Sequence, residues 1–231
     1  MNTDHIIRYI KLSLFFFKKS LYFFFLCYCS SVKKRIAIFL FDEIELLDFA
    51  GPLEVFSSAR LAKKKSANIT NLPKAFEVFT VTEKKKTIHT SDGLKVFSNY
   101  NFLSCPNFNI LILPGGIGTR SLIKNTAVIN WIKKHKNIEF LASVCTGSLL
   151  LAKAKLLENR KATTHWGAYD LLHNISPTTK VIKNKRYVFD KYYTSSGVSA
   201  GIDMAFAILE KIHGKSIAKN TAKYMEYIRN H

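Results

Sequence analysis

The chain is short of the residue types that mark several protein classes. Four cysteines in 231 residues, without a CxxC pair, do not make a disulfide scaffold. Ten glycines and five prolines exclude collagen-like and linker-rich designs. The seven histidines are scattered, with no HExxH motif or Cys/His cluster, so no metal site is expected. Acidic residues are also scarce: 16 Asp and Glu stand against 35 Lys and Arg, a formal charge of +19. Such an excess favours loose contact with polyanions. However, 28 of the cations are Lys and only seven are Arg. The runs at 63–65 and 84–86 look like solvated loops, and no reader helix accompanies them, so no specific nucleic-acid partner is expected.

What is present is apolar. A hydrophobic content of 48% with 13% aromatic residues suits one globular domain with a full core and argues against disorder. Residues 1–33 stand apart. Two apolar runs, 12–17 and 21–29, are split by Lys18-Lys19. Neither approaches the roughly 20 residues that span a bilayer. A signal peptide or anchor is one reading, although Cys occupies the small positions of the would-be cleavage site. A non-functional translated extension is the other. Residues 34–231 form the expected domain. The expected location is the cytoplasm, with membrane contact or export only if residues 1–33 target the chain.

From residue 35 the pattern alternates. Strands are predicted at 35–41, 76–82, 109–113 and 138–144, with shorter ones at 161–164, 180–182, 186–189 and 192–195. Helices are predicted at 43–60, 126–135, 146–157, 199–212 and 215–229, with Pro52 near the first turn of its helix or kinking it. Alternation of this kind argues for an α/β fold with a mainly parallel sheet covered by helices on both faces.

Chemistry in such folds gathers beyond the carboxyl ends of the strands. Cys145 lies between a buried strand and a helix, with small Ser143 and Gly147 two residues to either side. This is the pattern of a nucleophile elbow, where helix N-terminal amides would stabilise a thiolate. A buried structural thiol is the plain alternative. Gly115 and Gly116 follow another strand; their amides, with that of Thr146, would form an oxyanion hole. A tight turn is the plain alternative there. The run from Gly116 lacks the third glycine of a dinucleotide fingerprint, so no cofactor is expected. Asp48 is an acid among apolar residues, which requires a partner or a raised pKa.

These residues sit in five stretches that together resemble the ThiJ/PfpI superfamily, closest to its isonitrile hydratase-like branch. They are Leu47-Asp48-Phe49-Ala50-Gly51-Pro52, Leu113-Pro114-Gly115-Gly116, Ser143-Val144-Cys145-Thr146-Gly147-Ser148, Thr163-Thr164-His165-Trp166 and Ser196-Gly197-Val198-Ser199-Ala200-Gly201-Ile202-Asp203. The resemblance implies a flavodoxin-like, class I glutamine amidotransferase-like fold and a homodimer. It implies Cys145 as nucleophile, Asp48 as its acidic partner, Thr146 at the intermediate, and His165 near the crevice. Ser196 and Gly197 would wall the pocket. The late His-x-Glu of glutaminases is missing, since Gly167, Ile175 and Lys215 stand two residues after His165, His173 and His213. Thr146 replaces the His of peptidase-like members, and no DNA-binding domain is expected after the core. The implied activity is cofactor-free hydration of a small electrophile, an isonitrile, to an N-substituted formamide. Alternatives within the superfamily are action on 2-oxoaldehydes and redox sensing or chaperone-like behaviour.

A chain beginning near Lys33 is expected to keep the solubility and activity of the full chain. Aggregation or unfolding of that truncation would mean instead that the extension packs on the domain.

Overall fold

The computed structural model describes residues 33–61, 71–84 and 86–229. The expectations for residues 1–32, for the lysine run at 63–65 and for Lys85 fall outside them. In chain order the elements are β1 (Lys34–Phe39), α1 (Leu46–Ser58), β2 (Phe76–Thr82), β3 (Thr87–His89), β4 (Lys95–Phe97), β5 (Tyr100–Asn101), β6 (Ile110–Leu113), α2 (Thr119–Leu122) and α3 (Thr126–Lys134). They continue with β7 (Phe140–Val144), α4 (Ser148–Lys153), β8 (Lys161–Ala162), α5 (Tyr169–Ile175), β9 (Lys180–Val181), β10 (Tyr187–Phe189), β11 (Tyr193–Ser195), α6 (Ala200–His213) and α7 (Lys215–Tyr224).

Apolar β-rich runs make the central strands. Ile36, Ile38, Ile110, Leu111, Ile112 and Leu113 are all fully buried, as strands covered on both faces require. The main sheet runs β10-β11-β7-β6-β1-β2-β5. Every neighbouring pair is parallel except β10 with β11. Helices cover both faces, with α1, α6 and α7 packed together and α2, α3 and α5 grouped around α4. β3 pairs with β4 and β8 with β9 in two small separate sheets. The expected mainly parallel, doubly covered α/β fold is therefore what forms. Among the described residues no helix is long and apolar enough to cross a membrane.

The order of the sheet positions the site. From β1 the chain moves outward through β2 to β5, then returns to the other side of β1 as β6. This reversal opens a crevice above the carboxyl ends of β1 and β6. The segments that follow β1, β6 and neighbouring β7 carry Asp48, Gly115 and Cys145.

Several elements end where the backbone turns left-handed. Helix α1 starts at Leu46 rather than 43 because Glu43 has φ 62°, a conformation that no right-handed helix contains. Lys155 (φ 61°) and Glu226 (φ 49°) stop the chain beyond α4 and α7 in the same way. Pro52 lies inside α1 rather than in its first turn, so the Asp48 carbonyl loses its usual helical donor.

The central strands leave no room to relax. Ile112→Ala, at a fully buried position of β6, should cost about 2–5 kcal/mol in urea unfolding. A loss below about 1 kcal/mol would mean that the sheet beneath the site is loosely packed.

Candidate functional site

Asp48 enters the site because its helix is tied to the loop after β6. Ile44 forms bridges to Thr90 and Gly116. The Glu45 amide donates to the Gly115 carbonyl at 3.0 Å, and the Gly118 amide to the Glu43 carbonyl at 3.2 Å. These links turn the first turn of α1 inward, and Asp48 is fully buried. Its Oδ2 accepts the Gly115 N–H at 2.9 Å. Its Oδ1 is buried without a hydrogen-bond partner among the described residues. Burial pushes the Asp48 carboxyl up to about 7; the Gly115 N–H and the Cys145 side chain pull the other way, and the Glu45 charge adds to the rise.

The next turn holds the thiol. Cys145 opens a 3₁₀ turn, Cys145–Gly147, between β7 and α4, with φ 55°. A non-glycine residue held there costs about 1–3 kcal/mol and is kept only by its surroundings. Those surroundings are specific. The hydroxyls of Thr164 and Ser148 donate to the Cys145 carbonyl at 2.9 and 3.1 Å. Gly147 packs against the carbonyls of Leu113 and Pro114, where a Cβ has no room. This is the elbow geometry that the sequence pattern predicts.

The electrostatics differ from expectation. A helix N-terminus would lower the thiol pKa, but Cys145 is only 6% exposed and its thiol is pushed up to about 12. Burial is the main cause, followed by the negative charge of Asp48. The Thr146 amide and hydroxyl oppose the rise but are outweighed. Asp48 and Cys145 therefore titrate as a pair. Its first deprotonation falls on the carboxyl and leaves a carboxylate beside a protonated thiol.

The glycines serve this pair from within. A Cβ at Gly115 would lie 2.6 Å from the Thr146 nitrogen and 2.7 Å from Asp48 Oδ2, so only glycine allows the contact. Gly116 (φ 134°) donates its N–H to Thr146 Oγ1 at 3.0 Å, and the Thr146 hydroxyl donates to the Gly116 carbonyl at 3.1 Å. The amides expected to form an oxyanion hole are thus already engaged, Gly115 by Asp48 and Gly116 by Thr146. The Thr146 N–H lies beside the sulfur and favours its charged form.

His165 and Gly197 close the other side. A Cβ at Gly197 would lie 2.8 Å from Cys145 Sγ and 2.7 Å from His165 Cδ2, so thiol and imidazole edge share the space this glycine leaves. His165 is half-buried, not a core residue. Its Nδ1 accepts the Gly167 N–H at 3.2 Å, and its ring lies 5.2 Å from that of Trp166, which is 75% exposed. Ser196 gives both its N–H and its hydroxyl to the Arg186 carbonyl. Asp48, Gly115, Gly116, Cys145, Thr146, His165 and Gly197 come together; Ser196 supports them from behind. Sequence reasoning missed the roles of Thr164 and Ser148. For Ser148 the available signal was a hydroxyl residue three positions after the cysteine, directly before the apolar Leu149-Leu150-Leu151. Among the described residues no group of His, Cys, Asp or Glu could hold a metal ion.

The raised carboxyl pKa has a stability consequence. Between the usual Asp value and about 7 the folded state holds a proton that the unfolded state has lost, so stability falls as pH rises through that window. Asp48→Asn keeps the acceptor for the Gly115 N–H and carries no charge. It should melt above the wild type at pH 8, with the gain shrinking toward pH 4. An equal difference at both pH values would contradict a buried titrating carboxyl.

Known proteins are similar to this chain to different extents. The sequence profile of the DJ-1/PfpI family matches residues 34–211. Isonitrile hydratase of Pseudomonas putida is 32% identical over 196 residues, covering 84% of this chain and 78% of that protein. The HTH-type transcriptional regulator GbdR of Pseudomonas aeruginosa is 23% identical over 196 residues, which are 85% of this chain but 51% of the regulator. Among solved structures, a ThiJ/PfpI family protein from Pseudomonas syringae superposes with a TM-score of 0.74 at 24% identity, covering 87% of this chain and 77% of that one. With the fold, the elbow and the profile in agreement, the chain belongs to the DJ-1/PfpI family.

Proposed function

We propose that the protein is a hydratase of the isonitrile hydratase type, adding water to an isonitrile to give an N-substituted formamide, with Cys145 as nucleophile. The observation that carries this reading is the buried Asp48–Cys145 pair, followed by Thr146. The 32% identity to the Pseudomonas putida hydratase over most of both chains supports it.

The chemistry balances with this pair alone. Cys145 sulfur attacks the terminal carbon of R–N≡C while its proton passes to the Asp48 carboxylate. Asp48 returns that proton to the same carbon, giving the thioimidate R–N=CH–S. Water then adds to this carbon, losing a proton to Asp48, and the nitrogen gains one. The C–S bond breaks as the carbinol O–H is lost, which releases R–NH–CHO and restores the thiol. Thr146 N–H, which favours charge on the sulfur, steadies the charge that develops there. No cofactor is needed, because every proton has a carrier. We propose further that the protein acts as a homodimer on a small substrate, without nucleic acid.

The active form in this scheme is the pair carrying one negative charge. kcat/KM should rise about tenfold per pH unit below about 7 and level off above it. The test is formamide production from a simple alkyl isonitrile by the purified full chain, with methylglyoxal in parallel. Cys145→Ala should abolish turnover, and Asp48→Asn should lower kcat by about 10²–10⁴-fold and remove the pH step. Wild-type turnover no faster than that of Cys145→Ala would end the hydratase reading.

A further inference from the structure

The wall over the thiol is a short turn, and one residue outside the site holds it twice, by its backbone at Ser196 and by its side chain at Ser199. Arg186 lies immediately before β10. Its carbonyl accepts the Ser196 N–H at 2.9 Å and the Ser196 hydroxyl at 3.2 Å. Its guanidinium donates to Asp203 Oδ2 at 2.6 Å and, through both terminal nitrogens, to Ser199 Oγ at 3.1 Å. Asp203 is itself fixed. It sits in the first turn of α6, is 8% exposed, and accepts the Tyr227 hydroxyl on its other oxygen at 2.8 Å. Gly197 thus lies on a turn pinned at Ser196 and at Ser199, against the Cys145 sulfur and the His165 edge.

We infer that Arg186 is a specificity-determining positioning residue: by fixing the 196–199 turn it narrows the space beside the Cys145 thiol to a slot that admits slender electrophiles end-on. The inference rests on Cys145 being the reacting thiol, as proposed above. The rigid fork of Arg suits this task, since it reaches Asp203 and Ser199 at once. On the Gly197 side the thiol has no lateral room, because even one added carbon there would meet both sulfur and imidazole. An isonitrile presents its terminal carbon at the end of a linear C≡N–R axis and needs none. A 2-oxoaldehyde presents a trigonal carbon flanked by oxygen and a second carbonyl, and it does need room.

The test uses alkylation of Cys145 in the full chain, which reads the slot without requiring any turnover. Rates with iodoacetamide and with N-phenylmaleimide are followed by mass spectrometry at pH 8, each divided by its rate with a free small thiol. In the wild type the maleimide should be the disfavoured reagent. Arg186→Met should raise the maleimide-to-iodoacetamide ratio by about tenfold or more, the scale of steric discrimination in a close-fitting pocket. Arg186→Lys keeps the ion pair with Asp203 and should restore most of the wild-type ratio. Ser199→Ala removes one hydroxyl and should raise the ratio about threefold. A merely structural role would lower the melting temperature and leave the ratio in place. An unchanged ratio in folded Arg186→Met overturns the inference. If that variant does not fold, an unchanged ratio in Ser199→Ala overturns it. So does a wild-type Cys145 that neither reagent reaches. Lack of isonitrile turnover, by contrast, would sink the hydratase reading while these ratios stand or fall separately.

Discussion

The molecule is organised around a carboxyl group buried against a thiol. Asp48 is fully buried yet receives one backbone hydrogen bond, from the Gly115 amide, and its Oδ1 has no hydrogen-bond partner among the described residues. A charged carboxylate in that position is costly, and the cost appears as a carboxyl that holds its proton up to about 7. Neighbouring residues are constrained by the same contact. Gly115 has no space for a side chain, Thr146 is locked to Gly116 by a reciprocal pair of hydrogen bonds, and Cys145 is held at a left-handed backbone angle by two hydroxyls. A left-handed backbone angle at Cys145 and an unpaired carboxyl oxygen at Asp48 thus meet in one site, while fully buried apolar strands lie beneath them.

The sheet makes this concentration possible. Three segments distant in sequence meet because β1, β6 and β7 are adjacent and parallel, with all three carboxyl ends on one edge. Backbone links between the loops, Glu45 to Gly115 and Gly118 to Glu43, then set Asp48 over the thiol without help from any long side chain. The opposite wall is built differently. It depends on the Arg186–Asp203–Ser199 group and on Tyr227 near the end of the described chain. One side of the site is therefore fixed by the fold, and the other by side chains that substitution can change while the sheet stays intact.

The long central strands were legible in the sequence, because uninterrupted apolar runs such as Ile110–Leu113 leave no choice but burial on both faces. The elbow was legible because a cysteine between small residues at a strand end has few other uses. Helix boundaries were less so, since the left-handed turns at Glu43 and Lys155 involve residues with no special preference for that conformation. The small hairpin of β3 and β4 and the short helices α2 and α5 carry too few periodic residues to announce themselves. Electrostatics was the least legible level. The helix-terminus argument gave a low thiol pKa, and burial with the Asp48 charge reversed it. Which glycine amides stay free is likewise a matter of distances, and those of Gly115 and Gly116 are taken.

Asp48 and Cys145 are coupled: the carboxylate that forms first is the base for the thiol beside it. The pH dependence of iodoacetamide alkylation at Cys145, compared between the wild type and Asp48→Asn, tests it most directly. In the wild type the rate should climb through a step near pH 7, where the pair first becomes anionic. In Asp48→Asn that step should vanish, and reactivity should appear only at higher pH, where the buried thiol ionises without a carboxylate to take its proton. Superimposable profiles for the two proteins would contradict the pairing and leave Asp48 as a packing residue.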